Sequence, residues 1–186
     1  YRGAAPINWA IINGEKVTGV STFFLEHTID TGNILLQESV EIKEDDNAGS
    51  LHDKLMDCGA ELVVETVDKI LDMSVEGKAQ KELLDNQSEL KEAPKIHKAD
   101  CKIDFSLPTA KVYDFIRGLS PYPAAFTELE LANGEVKTVK IFSCRTSEEK
   151  GIPGKFIEKK GQLLAYTADG AIIISELQLE GKRRMN

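Results

Sequence analysis

The sequence has no apolar run approaching the roughly 20 residues that a membrane-spanning helix needs. It has no charged-then-apolar opening of the kind a secretory signal shows. It also lacks an initiator Met: the chain opens Tyr1-Arg2-Gly3 and closes Lys182-Arg183-Arg184-Met185-Asn186. Both ends read as interior to a longer protein. Cysteine is scarce, with Cys58, Cys101 and Cys144 far apart and no CxxC pair. An odd, scattered set argues against a disulfide framework or a zinc site and predicts a reducing, cytoplasmic compartment. No HxH or HxxxH spacing occurs, so no metal is expected. Internal repeats and low-complexity tracts are missing as well.

Nor is there a uniform charge. The net value of −8 conceals an asymmetry. Residues 1–97 carry 9 Lys+Arg against 19 Asp+Glu, whereas residues 98–186 carry 14 against 12. An acidic first half beside a mildly basic second half leaves room for a polyanionic partner on the second half alone. With 186 residues, 41% of them hydrophobic, the chain is long enough for a real core and suits a soluble protein of one or two domains.

The pattern along the chain changes character twice. Residues 5–14 (APINWAIING) predict a helix, with Pro6 in its first turn and Gly14 past its end. Residues 17–26 mix β-branched and aromatic side chains and predict a strand. A loop, Glu26 to Asn33, follows, and then a strand with Ile34, Leu36, Val40 and Ile42 on alternate positions. Leu51, Leu55, Leu62 and Ile70 recur at helical spacing, and Ser50 with Asp53 is the expected start of that long helix. Residues 74–104 are polar, without periodicity, and read as a strand-poor excursion and linker. Beyond them a short helix carries Val112, Phe115, Ile116 and Leu119 on one side and stops at Pro121. About five short strands come next, punctuated by Asn133-Gly134, Lys160-Gly161 and Asp169-Gly170. The expected fold is therefore α/β followed by all-β: the tail of a partial, Rossmann-like α/β unit over 1–97 and a small OB-like β-barrel over 98–186.

Few residues carry chemistry. Asp30 sits in a loop at the carboxyl end of a strand, where α/β sheets gather functional groups, but an Asp before Thr31-Gly32 is also an ordinary turn residue. A lone carboxylate cannot run acyl transfer without an imidazole and oxyanion donors. His27 is too close in the same loop to serve as an independent partner, and His52 and His97 read as solvated. Trp9 is expected in the core. Pro121-Tyr122-Pro123 reads as a rigid turn with a packed ring. Lys182-Arg183-Arg184 is either a solvated end or a phosphate contact.

The stretch YRGAAPINWAIINGEKVTGVSTFFLEHTIDTGNILLQ closely resembles the folate-dependent formyltransferase family. The family pattern runs RG-x-x-P, A-I-x-x-G, T-G-V, D-x-G-x-I, and here Arg2, Gly3, Pro6, Ala10, Ile11, Gly14, Thr18, Gly19, Val20, Asp30, Gly32 and Ile34 match it. Residues 93–129 and LQLEGKRRM resemble the extra carboxyl-terminal domain of the members that act on methionyl-tRNA. The resemblance implies 10-formyltetrahydrofolate as formyl donor, initiator methionyl-tRNA as acceptor, and neither metal nor membrane. It implies Asp30 as the catalytic Asp, beside an Asn and a His that the family carries just before its RG motif; His27 does not match that His. It further implies that Glu26, His27, Thr28, Ile29, Asp30 and Gly32 shape the folate pocket, and that Lys182, Arg183 and Arg184 meet tRNA. The rival readings are a formyltransferase acting on a nucleotide-linked 4-amino-sugar and, for the fragment alone, a non-catalytic RNA-binding module.

Overall fold

A computed structural model describes residues 1–28, 31–83, 91–131 and 133–186. Strand β1 (Arg2–Gly3) leads into helix α1 (Pro6–Ile12), where Pro6 takes the first turn. No N–H is lost there, because the first helical N–H groups have no intrahelical acceptor anyway. Gly14 closes the helix at φ +77, a left-handed conformation that costs glycine little. Strands β2 (Val17–Phe23) and β3 (Ile34–Glu41) form an antiparallel pair in register from Val17↔Glu41 to Phe23↔Ile34.

Helix α2 (Ala48–Leu71) lies across this pair, burying Leu51, Leu55, Leu62 and Thr66. Its start corrects the sequence reading. Asn47, rather than a Ser50–Asp53 pair, is the cap: Asn47 Oδ1 accepts from Ser50 N at 2.9 Å and Ser50 Oγ accepts from Asn47 N at 3.1 Å. Ile70 is 39% exposed and does not continue the core stripe. Ala10, Ile11, Ile42, Ala48, Leu51 and Leu55 form the core of this half.

The polar excursion holds more order than its sequence predicts. Helix α3 (Gln80–Leu83) and strand β4 (Glu92–Ala93) lie within it, and β4 pairs in parallel with β1, Arg2↔Glu92 and Gly3↔Ala93. A two-residue strand leaves no periodicity to read. Trp9 is half-buried, not in the core, because its indole N–H donates to Pro94 O at 2.9 Å and so faces the chain's edge.

After a 3₁₀ turn (Lys98–Cys101), helix α4 (Thr109–Leu119) buries Val112, Ile116 and Leu119. It packs on a curled antiparallel sheet of β5 (Ala125–Glu130), β6 (Val136–Ser147), β7 (Phe156–Lys159), β8 (Gln162–Tyr166) and β9 (Ala171–Leu179), ordered β5-β6-β9-β8-β7. Bulges between Ile141 and Cys144 help bend it. Lys160 and Gly161, both at positive φ, join β7 to β8 as a two-residue turn, the type that suits strand twist. A sixth strand, β10 (Arg184–Met185), pairs with β9, so the closing residues are structured rather than a loose end. Ala125, Val139, Ile141, Ala165, Ile172 and Ile174 complete the core with α4.

The two halves meet on α4. Asn8 Nδ2 donates to Gly118 O at 2.8 Å, and a Cβ on Gly118 would stand 2.6 Å from Ile12 Cγ1, so glycine lets α1 approach. Tyr113 OH donates to Glu44 O at 2.9 Å, and the buried Arg117 donates to Lys43 O (3.2 Å) and Asp46 O (2.7 Å). Asp46 in turn accepts from Lys54 Nζ (2.5 Å), Ser50 Oγ (2.8 Å) and Lys43 N (2.8 Å). Burial pushes its carboxyl pKa up, but these hydrogen bonds outweigh that and hold it below its ordinary value.

Candidate functional site

The loop between β2 and β3 carries most of the candidate residues. Ile29 and Asp30 lie outside the described residues, so the catalytic assignment of Asp30 rests on sequence. Around them the geometry is defined. Glu26, His27 and Thr28 are exposed, Thr28 O accepts from Thr31 Oγ1 at 2.9 Å, and Phe24 N donates to Asn33 O at 3.3 Å. Phe24 and Leu25, 52% and 90% exposed, give the loop an apolar rim.

Gly32 is buried at the foot of the loop. A Cβ there would lie 1.7 Å from Phe24 O, so no larger residue fits without moving the chain. Its carbonyl accepts from Gln80 Nε2 at 2.8 Å, and Gln80 Oε1 accepts from Arg2 Nη2 at 2.6 Å. Paired backbone bonds between Ile34 and Lys78 (2.9 and 2.8 Å) lay residues 77–80 beside the start of β3. The matched Arg2 and Gly32 are thus brought together through Gln80, which the sequence reading passed over because it falls in the aperiodic stretch. Gly3 is equally constrained: at φ +144, a Cβ would meet Ala93 O at 2.2 Å.

A second polar group braces the same edge. Tyr1 OH donates to Glu15 Oε1 at 2.7 Å and accepts from Asn13 Nδ2 at 2.8 Å, while Lys91 pairs with Glu15 and lies over the Tyr1 ring. The Lys91 and Tyr1 hydrogen bonds hold the Glu15 carboxyl below its ordinary pKa, and the bond to Glu15 raises that of Lys91. A cavity of about 310 Å³ opens between Arg2, Gly3, Lys91, Glu92 and Pro94.

On the sheet half, the basic triplet divides. Lys182 and Arg183 are exposed and form no ion pair among the described residues. Arg184 instead lies over the Phe142 ring at 3.5 Å and donates to Glu176 at 3.2 Å, a cation–π and ion-pair seat that fixes β10. A groove of about 550 Å³ runs nearby, its wall including Lys98, Tyr122, Phe126, Lys140 and Gln178. Tyr122, between Pro121 and Pro123, is 82% exposed and lines that groove, so its ring is not packed in the way the sequence predicts. His52 is exposed beside Asp53, and His97 is exposed at the start of the 3₁₀ turn.

Among the described residues no cluster of three or more His, Cys, Asp or Glu could hold a metal ion. Among the described residues, too, no helix is long and apolar enough to cross a membrane. Burial raises the thiol pKa of Cys144 to about 12 and also shifts those of Cys58 and Cys101 upward, which disfavours the thiolate form.

Comparison with known proteins adds two family matches. Residues 1–67 match the family model described as formyl transferase, and residues 95–186 match formyl transferase, C-terminal domain. A methionyl-tRNA formyltransferase of Phocaeicola vulgatus is 49% identical over 189 residues, covering 100% of this chain and 58% of the relative. The chain therefore spans under three fifths of the curated relatives it matches. Among solved structures, HypX from Aquifex aeolicus in complex with tetrahydrofolic acid superposes with a TM-score of 0.72 at 20% identity, over 99% of this chain and 31% of that one. The N-formyltransferase from Helicobacter canadensis, in complex with folinic acid and dTDP-3-aminofucose, gives 0.69 at 22% identity, over 96% and 62%. At that identity the structural likeness speaks for the fold alone.

Proposed function

The chain belongs to the formyl transferase family, and from that premise we propose that the protein containing it moves a formyl group from 10-formyltetrahydrofolate to the amino group of initiator methionyl-tRNA in the cytoplasm. The observation that carries this reading is the identity near one half over the whole chain, sheet half included, with enzymes named for that reaction. A nucleotide-sugar acceptor is the second reading, favoured by the fold match to the Helicobacter canadensis enzyme, but its identity with this chain is 22%.

The chemistry follows from the residues. The donor supplies an activated formyl carbon. The acceptor amine attacks that carbon, the bond from carbon to the folate nitrogen breaks, and the amine's proton passes to the departing nitrogen. Asp30 orients and charges the family's His, since a carboxylate nearby favours the cationic imidazolium. That His and the family's Asn stabilise the developing oxyanion, each such donor being worth roughly 100- to 1000-fold in rate. The loop fits a flat pterin: Phe24 and Leu25 offer exposed apolar surface, and the tight backbone at Gly32 brings polar main chain beside it. By the family resemblance Glu26, His27, Thr28 and Ile29 are assigned to the same pocket, and the first three are exposed and accessible to a ligand. Lys182 and Arg183, with the groove holding Lys98, Lys140 and Tyr122, offer cations and an exposed ring to RNA. The test is acceptor competition with the full-length protein. Formylation of methionyl-tRNA that an excess of nucleotide-linked amino-sugar does not inhibit supports the reading, and the reverse preference overturns it.

A further inference from the structure

Gln80 stands where three separated stretches of chain meet. Its side-chain oxygen takes a hydrogen bond from Arg2 Nη2 at 2.6 Å and its side-chain nitrogen gives one to Gly32 O at 2.8 Å. Arg2 belongs to β1, while Gly32 is the foot of the β2–β3 loop. The backbone ladder between Ile34 and Lys78 delivers Gln80 to this point, and Gly77 permits the approach, since a Cβ there would come 2.9 Å from Asn33 Cβ. We propose that Gln80 is a positioning residue for formyl transfer, an amide clamp that fixes the loop carrying Asp30 against the strand that begins at Arg2.

The chemistry of the contact explains why an amide stands there. Arg2 offers only donors and the Gly32 carbonyl only accepts, so one side chain must present an acceptor and a donor from the same group. Glutamine does both; Glu keeps the acceptor, Lys keeps the donor, and Leu keeps neither. Gly32 has no side chain of its own and cannot gain one, because a Cβ would collide with Phe24 O. Its foot is therefore held through the main chain, and Asp30 is two residues away. A misplacement of about 1 Å costs on the order of 100-fold in rate even when its cause lies outside the reacting groups.

This inference rests on the formyl-transfer reading, and its test separates the two. Full-length wild type, Gln80→Leu, Gln80→Glu and Gln80→Lys are assayed for kcat and KM with methionyl-tRNA, and hydrogen exchange is followed in peptides covering residues 24–33 and α2. Wild type inactive on methionyl-tRNA refutes the functional reading. With an active wild type, the expected result for Gln80→Leu is a kcat lowered roughly 10- to 100-fold, with KM for methionyl-tRNA unchanged. Exchange should quicken in 24–33 and not in α2, and Glu and Lys, each keeping one bond, should fall between. Should Gln80→Leu fail to fold, Gln80→Glu and Gln80→Lys carry the same comparison. Wild-type kcat in a folded Gln80→Leu, or in both Gln80→Glu and Gln80→Lys where Leu does not fold, overturns the proposal, whether or not the loop exchanges faster.

Discussion

Arg117→Met is the perturbation that tests most directly how the two halves are joined. Arg117 is 6% exposed. Its Nε and Nη2 reach Asp114 Oδ1 at 2.8 and 2.7 Å, its Nη1 reaches Asp46 O at 2.7 Å and Lys43 O at 3.2 Å, and its guanidinium lies over the Tyr113 ring. Methionine keeps the length and apolar stem but removes every donor. In the turn between β3 and α2, Asp46 O then loses the guanidinium and Lys43 O keeps only Asp46 N, and Asp114, 18% exposed, keeps its charge with no cation beside it. Removing one member of a buried pair costs about 3–5 kcal/mol, most of it the penalty of the group left behind. At roughly 2–4 °C per kcal/mol for a protein of this size, the melting temperature should fall by about 6–20 °C.

The argument makes a further commitment through a double-mutant cycle. If the penalty is Asp114 left unpaired, Asp114→Asn should cost less in the Arg117→Met background than in wild type. The coupling should exceed about 1 kcal/mol by urea unfolding followed by circular dichroism. A loss under about 1 kcal/mol for Arg117→Met, or strict additivity, would show that water replaces the guanidinium at no cost and that the junction is held elsewhere.

Asp30→Asn in the full-length protein should lower turnover by roughly two to four orders of magnitude, the range for a positioned acid–base group, while His27→Ala costs far less; equal damage from the two would refute this assignment of roles. Asp46 and Glu15 both have folded pKa values below their ordinary 3.8 and 4.5. The stability they add is complete above those ordinary values and is lost as pH falls through the lower folded ones. Asp46→Asn should accordingly flatten the acid limb of the stability profile, and an unchanged limb would refute the link. Lys182→Ala with Arg183→Ala should flatten the slope of log tRNA affinity against log salt by about 0.7–0.9 per contact. Arg184→Ala should act chiefly on thermal stability through Phe142 and Glu176, and superimposable salt titrations would return Lys182 and Arg183 to solvated residues with no phosphate contact.

What the sequence disclosed and what it hid follow from the range of each signal. The helices and most strands came through because their signals are local: Pro6 and Gly14 bracket α1, and Lys160-Gly161 marks a two-residue turn. Interactions that close over long separations leave no such trace. The amino-terminal cap of α4 comes from Asp169, sixty positions away, whose Oδ1 accepts from Thr109 N and Oγ1 at 2.7 Å each, since Pro108 has no side-chain oxygen to offer. The Asn47 cap was missed for a narrower reason: Ser50 and Asn47 bond reciprocally, so the motif pointed to the right helix with its start displaced by three residues. The site shows the same division. Arg2, Gly3 and Gly32 stood out because they match the family motif, and for the two glycines the structure supplies a reason, since a Cβ would meet Ala93 O at Gly3 and Phe24 O at Gly32. Gln80 had no such restriction. An amide in a polar stretch satisfies every local rule, and its importance depends on Arg2 and Gly32, 78 and 48 residues away. The triplet at 182–184 shows the opposite limit: three adjacent cations look alike in sequence, yet strand pairing with β9 sets Arg184 over Phe142 and leaves Lys182 and Arg183 exposed. Charge is legible in a sequence, but whether a partner in the fold has already taken it is not.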